Sequence, residues 1–112
     1  MKENQEKKWC VYKHINKING KVYIGQTCMK PKDRWYNGQG YKGSSYFYHA
    51  IQKYGWDNFD HEILFEGLTL EEANTLEKRL IAEYDSTNHS RGYNLMTGGS
   101  NSEHSEETKE TF

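Results

Sequence analysis

The sequence predicts a small α+β domain, a three-stranded and mainly antiparallel sheet flanked by helices. Three observations carry that prediction. Residues 11–25, VYKHINKINGKVYIG, read as two short strands joined at Asn19-Gly20, a pair that tolerates the positive φ of a tight hairpin turn. Phe59, His61, Ile63 and Phe65 recur at every second position, the period of a third strand. Thr69, with Glu72 three residues on, forms a capping box ahead of a long stretch with helical periodicity.

The other elements fall between these. Residues 1–8, MKENQEKK, are a charged arm expected to be flexible, and they lack the apolar stretch of a signal peptide. Strands are expected over 9–15 and 21–25, followed by a loop. Pro31 suits the first turn of a short helix over 31–36. Three glycines, Gly38, Gly40 and Gly43, make residues 37–43 a loop. Ser44 or Ser45 can cap a second helix over 46–54, with Gly55 as its stop. The third strand spans 58–65 and the longest helix 70–84. Residues 85–92 are a polar loop and 92–96 a short extended piece. The domain therefore covers 9–96, and residues 97–112 form a polar, acidic tail expected to lack order.

A chain of 112 residues holds one domain with a modest core. Aliphatic residues are scarce and Tyr, Trp and Phe are many, so aromatics must fill much of that core. The formal net charge is −1. Residues 101–112 hold four glutamates against one lysine, a net −3, which leaves +2 on residues 1–100. That mild basic bias permits nucleic-acid binding without arguing for it. Cys10 and Cys28 form no CxxC pair and follow no secretory signal, so they read as reduced thiols of a cytosolic protein rather than a structural zinc site. No apolar run approaches the roughly 20 residues a membrane span needs.

Placing Asn19-Gly20 at the hairpin tip sorts the ribbon. Val11, Ile15, Val22 and Ile24 share an aliphatic face that suits a core. Tyr12, His14, Asn16 and Tyr23 share the other, which presents two phenols, an imidazole and an amide. A longer turn would shift this register. Tyrosine is also simply a good strand residue.

Glu77 is the sharpest single signal. At ~100° per residue, Leu70, Ala73, Leu76, Leu80, Ile81 and Tyr84 sweep out one apolar arc, and Glu77 falls inside it. A carboxylate there either snorkels to water from the helix edge or is a metal ligand or acid on the floor of a site. Arg34 offers a planar, always-charged guanidinium that suits a phosphate, or else pairs with Asp33 on the surface. His14 shares a face with Tyr12 and Tyr23. It can help deprotonate a tyrosine or contact a phosphate, or it is a polar residue at the sheet's rim. Asn94 is a turn-prone residue near Gly92. His49, His61 and His89 show no ligand spacing and read as structural or exposed.

Cys10-Val11-Tyr12, followed after a spacer by Tyr23-Ile24-Gly25, resembles the paired motif of the GIY-YIG nucleases. The second half matches letter for letter. The first has Cys10 where the family usually has Gly, and Val11 where it usually has Ile. Arg34, nine residues after Gly25 in a DRW context, stands at the distance of the family's catalytic arginine. Glu77 in TLEKRLIAEY matches its metal-binding glutamate, and Asn94 in Gly92-Tyr93-Asn94 matches an asparagine that helps hold the site together. The stretch AIQKYGWDNFDHEIL resembles the family's middle segment. Gly38 stands where many members have His or Tyr, a group that Tyr36 or Tyr41 would have to supply. Lys42 lies near another position where the family carries His. The resemblance runs from about residue 9 to residue 94, and is closest to the free-standing or homing-type enzymes of phages and bacteria.

That resemblance implies a GIY-YIG-like domain and metal-dependent hydrolysis of a DNA phosphodiester. One divalent ion, Mg²⁺ or Mn²⁺, would be held by Glu77 and waters, a ligand set that suits hard ions. Arg34 would neutralise charge on the phosphate. Tyr12 is the favoured base for water attack and Tyr23 a positioning group. A free phenol has a pKa near 10, so the base must first lose its proton to a neighbour or be depressed by Arg34 and the metal. The expected partners are DNA and a separate specificity domain or protein, because residues 104–109 resemble the opening of a small DNA-binding module. The expected location is the cytoplasm of a bacterium or a phage-infected host, with no membrane partner. The rival reading, motivated by Cys10 and Gly38, is a catalytically decayed domain that acts as a DNA-binding or partner-dependent module. A third keeps the chemistry but directs it at branched or damaged DNA.

Overall fold

The computed structural model describes residues 7–43 and 45–95. The predicted acidic tail, the module-like residues 104–109 and most of the N-terminal arm lie outside them.

Three strands, β1 (Trp9–Asn16), β2 (Val22–Thr27) and β3 (Phe59–Leu68), form one antiparallel sheet in the order β2-β1-β3. Two helices, α1 (Pro31–Trp35) and α2 (Ser45–Tyr54), follow β2, and α3 (Leu70–Tyr84) follows β3. The predicted α+β order is the observed one. Each face of the sheet carries its own core. Val11, Val22 and Ile24 meet Ala73 and Ile81 of α3 on one side. Cys10 and Tyr12 meet Tyr41, Phe47, Ile51, Phe59 and Tyr93 on the other. The face of phenols and imidazole is thus a second core rather than an open surface, because the aromatic side chains of residues 35–56 cover it.

The hairpin is wider than the two-residue turn predicted. Asn16 N–H donates to the Lys21 carbonyl (2.9 Å), and Gly20 N–H donates to the Asn16 carbonyl (2.7 Å). Gly20 has φ +80°, whereas Asn19 is not in the left-handed region a two-residue tip requires. Two asparagines favour the wider loop. Asn16 Oδ1 accepts from Ile18 N–H and Asn19 Oδ1 from Lys21 N–H, side-chain bonds that compete with the tight turn. His14 consequently pairs with Tyr23, and Tyr12 with Gly25. The displacement is two residues, one full side-chain period, so every residue keeps its predicted face.

Strand β3 departs from simple alternation. Ile63 lies opposite Tyr12, yet Phe65 lies opposite Val11, so β3 carries an extra residue between them. Such a bulge reverses the side-chain parity. His61 and Ile63 stay on the aromatic face, and Phe65 moves to the face of α3, where it is 43% exposed. Helix α3 keeps its predicted bounds. Thr69 Oγ1 accepts from Glu72 N–H and Glu72 Oε1 accepts from Thr69 N–H, the complete capping box. Beyond α3, residues 91–94 run beside the outer edge of β2. Val22 N–H donates to the Arg91 carbonyl and Tyr93 N–H to the Val22 carbonyl. No helix among the described residues is long and apolar enough to cross a membrane.

Candidate active site at the edge of the sheet

Three consecutive residues of the edge strand, Ile24, Gly25 and Gln26, organise the predicted site residues. Tyr12 lies across Gly25, to which it is paired. A Cβ at Gly25 would sit 2.6 Å from Tyr12 Oη, so only glycine admits the ring. Tyr12 is 1% exposed and packs edge-on against Trp35 at 5.5 Å. Tyr23, two residues earlier on β2, stacks on Phe47 at 4.4 Å. It also faces His14 ring to ring at 6.2 Å.

Arg34 reaches the same cluster because the chain reverses after α1. Tyr36, Asn37 and Gly38 all take positive φ, which folds residues 39–41 back over the helix. Arg34 Nη1 then donates to the Gly40 carbonyl (2.6 Å), and its guanidinium lies 4.6 Å from the centre of the Tyr41 ring. A Cβ at Gly40 would strike the Arg34 carbonyl, so the glycine-rich loop is what permits this clamp.

His14 is fully buried rather than at the rim. Its Nε2 lies 2.8 Å from Tyr41 Oη and its Nδ1 lies 3.0 Å from His61 Nδ1. Tyr41 Oη in turn donates to Tyr12 Oη (3.2 Å). Burial holds the His14 imidazole well below its ordinary pKa, and His61 and Arg34 push the same way. Burial likewise raises the Tyr41 phenol well above its ordinary value, with Tyr12 and Tyr23 adding and Arg34 opposing. His61 is also lowered by burial, against a hydrogen bond with the Trp56 backbone and the charges of Asp60 and Asp57. The reading of His61 as merely structural or exposed missed its bond to His14. That bond depends on strand pairing between distant segments.

Glu77 approaches from the other face. It is 7% exposed, inside the apolar arc of α3, as its helical position predicts. Gln26 Nε2 donates to Glu77 Oε1 (2.9 Å) and to Asn74 Oδ1 (2.7 Å). Asn94 holds the third residue. Its Oδ1 accepts from Ile24 N–H (2.9 Å) and Ser86 Oγ (2.8 Å), and its Nδ2 donates to the Ile24 carbonyl (2.9 Å). One side chain thereby satisfies both outward-facing backbone groups of Ile24, as a neighbouring strand would. The structure thus gathers Tyr12, Tyr23, His14 and Arg34 on one face. Glu77 and Asn94 meet the same short run of β2 from the α3 face and from its outer edge.

The model of the GIY-YIG catalytic domain matches residues 8–94. The chain belongs to the GIY-YIG family. Among its relatives, "Putative endonuclease segD" of Enterobacteria phage T4 is 34% identical over 92 residues, 82% of this chain and 39% of that protein. "Putative endonuclease segE" of the same phage is 38% identical over 91 residues, 80% of this chain and 41% of that protein. The chain spans about two-fifths of the length of these relatives. Among solved structures, a mutant form of the catalytic domain of intron endonuclease I-TevI superposes with a TM-score of 0.64. It is 22% identical and covers 80% of this chain and 95% of its own, a likeness of fold.

Two of the departures from the GIY-YIG pattern, Cys10 and Gly38, have a structural setting. Cys10 is buried in the aromatic core, where burial, then the Glu66 charge, raises its thiol pKa, so it behaves as a small apolar residue. At Gly38 a Cβ would meet Ile51 at 2.9 Å and Trp56 at 3.0 Å, and φ is +91°. A histidine or tyrosine has no room there. Of the two candidates to replace it, Tyr36 is 67% exposed, whereas Tyr41 is buried with its hydroxyl against Tyr12. The sequence alone offers Tyr36 and Tyr41 equally, and the fold, which buries Tyr41 against Tyr12, separates them.

Proposed function

We propose that this domain is a metal-dependent endonuclease that hydrolyses a DNA phosphodiester. The observation that carries the reading is that Tyr12 lies against Gly25 and Glu77 bonds the adjacent Gln26, while Arg34 sits over Tyr41, whose hydroxyl meets Tyr12. A phenol, a guanidinium and a buried carboxylate are the groups that a hydrolytic phosphate site needs. The phage relatives named as endonucleases support the same class. Residues 30–42 carry Lys30, Lys32, Arg34 and Lys42 against Asp33 alone, a local positive charge beside the site that suits a phosphate backbone.

The donor set fits a hard divalent ion. Among the described residues no group of three or more His, Cys, Asp or Glu side chains gathers to hold a metal. Glu77 is the buried acid, and beside it Gln26 Oε1 is buried with no hydrogen-bond partner among the described residues. One carboxylate, with an amide oxygen at hand, matches the sparse protein ligation of Mg²⁺ or Mn²⁺, whose remaining ligands are water and phosphate oxygens. Glu77 would hold such an ion, which when bound polarises the phosphate and stabilises the leaving 3′ oxygen. Arg34, pinned by Gly40 and Tyr41, neutralises charge on the non-bridging oxygens. Tyr12, as its phenolate, takes a proton from water as the water oxygen attacks phosphorus and the bond to the 3′ oxygen breaks. Tyr23 orients the water or the phosphate.

The test is plasmid nicking at low salt with Mg²⁺, Mn²⁺ or EDTA, using the wild type beside Glu77→Ala. Metal-dependent nicking by the wild type, reduced about 100-fold or more in the variant, is the expected result. DNA binding without nicking under any of these conditions would favour the decayed module instead.

A further inference from the structure

We propose that Tyr41, His14 and His61 form a proton relay that carries the Tyr12 proton through the aromatic core, along one face of the sheet, to the edge strand β3. The inference rests on the reading of Tyr12 as base and deepens it. A phenol with an ordinary pKa near 10 is protonated at neutral pH, so a base of this kind must first discharge its proton somewhere. Tyr12 is shut in by Trp35 and Gly25, and its hydroxyl meets Tyr41. From there the contacts are continuous. Tyr12 Oη to Tyr41 Oη is 3.2 Å, Tyr41 Oη to His14 Nε2 is 2.8 Å, and His14 Nδ1 to His61 Nδ1 is 3.0 Å.

The chain has the chemistry to conduct. Each hydroxyl and each neutral imidazole both donates and accepts, so one proton can enter at one end as another leaves at the other. The Tyr12 O–H breaks as its proton passes to Tyr41 Oη. Tyr41 hands its own proton to His14 Nε2, and His14 hands its Nδ1 proton to His61 Nδ1. His61 becomes imidazolium, loses a proton to solvent or buffer, and leaves Tyr12 as phenolate. Tyr41 then donates to the Tyr12 phenolate across the 3.2 Å contact between their oxygens. The attacking water later restores the Tyr12 proton, and the leaving 3′ oxygen takes one from solvent, so the cycle balances.

The two ends differ in the required sense. His14 is fully buried and disfavours the imidazolium, so a proton passes through it without being stored. His61 is half-buried at the outside of the aromatic layer, stacked on Trp56 at 4.0 Å. Burial lowers His61 too, but its bond with the Trp56 backbone and the charges of Asp60 and Asp57 oppose that, whereas among the described residues no such group opposes it at His14. Nothing in the packing of the sheet requires two histidines to meet nitrogen to nitrogen beneath a phenol.

The experiment compares His61→Ala, Tyr41→Phe and the double variant with the wild type in single-turnover plasmid nicking, in a buffer free of imidazole. Circular dichroism and DNA affinity are measured alongside. Tyr41→Phe keeps the ring and its packing, so it removes only the hydroxyl. Each single variant should slow cleavage roughly 10–100-fold at unchanged DNA affinity. Added imidazole, which fits the space vacated on Trp56, should restore His61→Ala towards the wild-type rate and leave Tyr41→Phe slow. The double variant should be no slower than Tyr41→Phe, because both lesions break one path. His61→Ala at the wild-type rate, or a loss that imidazole leaves unchanged, overturns the relay while the nuclease reading stands. A wild type that never nicks overturns that reading and the relay with it.

Discussion

At the residue scale, the last glycine of the Tyr23-Ile24-Gly25 motif has a physical reason to be glycine. Its backbone φ is ordinary, so conformational freedom is not the point. Its missing side chain is the space in which Tyr12 lies. In Gly25→Ala the new methyl would stand 2.6 Å from Tyr12 Oη and 2.7 Å from two ring carbons. The ring cannot simply yield, because Trp35 and Tyr41 hold its far side. Overpacking of this kind costs about 1–3 kcal/mol, and it displaces the proposed base as well. Gly25→Ala should therefore lower the urea midpoint and abolish nicking together. Gly43→Ala is the control, since a Cβ there meets nothing within 4 Å. A Gly25→Ala protein with wild-type stability and activity would mean that Tyr12 is not seated as described. Glu77 teaches the complementary lesson, because its burial was legible in the sequence. Helix period alone put it among Ala73 and Ile81, where it is found.

At the element scale, β2 is an edge strand whose outer side is closed at Val22 by the backbone of residues 91–93 and at Ile24 by a single side chain. Asn94 imitates a peptide group towards Ile24 and takes a third bond from Ser86. Asn94→Ala leaves the Ile24 N–H, the Ile24 carbonyl and the Ser86 hydroxyl to find other partners in a buried place. At about 1–3 kcal/mol for each unsatisfied buried group, the domain should lose roughly 3 kcal/mol or more. Hydrogen exchange at the Ile24 amide should accelerate in proportion, and unchanged protection there would refute the clamp. This role could not be read from the chain, because it joins residues 70 positions apart through one amide. Local signals did better. The Thr69–Glu72 box and the apolar period set the bounds of α3, the Asn19-Gly20 signal marked the hairpin of β1 and β2, and alternation found β3. What failed was the detail that side chains impose on backbone. Asn16 and Asn19 bond their neighbours and widen the hairpin, and one extra residue in β3 turns Phe65 to the other face. The approach of His61 to His14, and of Tyr41 to both His14 and Tyr12, follows from that pairing and from the reversal after α1.

At the scale of the whole molecule, two unlike cores share one three-stranded sheet, and they should answer differently to pH. The core beneath α3 is aliphatic on the sheet side apart from Trp9, and it holds no histidine among the described residues. The aromatic core encloses His14 with Tyr12, Tyr23, Tyr41, His61 and Arg34 around it. Its folded state disfavours the His14 imidazolium, first through burial, then through His61 and Arg34, and His61 is lowered as well. The unfolded chain therefore binds the additional protons, and unfolding becomes easier as pH falls below the ordinary histidine value of about 6.5. The stabilisation is fully present above that value and is lost progressively below it. Glu72 does not confuse this range. The Thr69 backbone holds its carboxyl below the ordinary value, so it titrates in a more acidic window. Urea unfolding followed from about pH 7 to about pH 5 should show a steadily falling midpoint. In His14→Phe, which keeps an aromatic ring among Phe47, Trp35 and Trp56, the midpoint should be lower at neutral pH but flatter across the same range. A variant slope as steep as that of the wild type would mean that the pH sensitivity of the fold lies outside the aromatic core, and that His14 is not the group whose neutrality the folded state enforces.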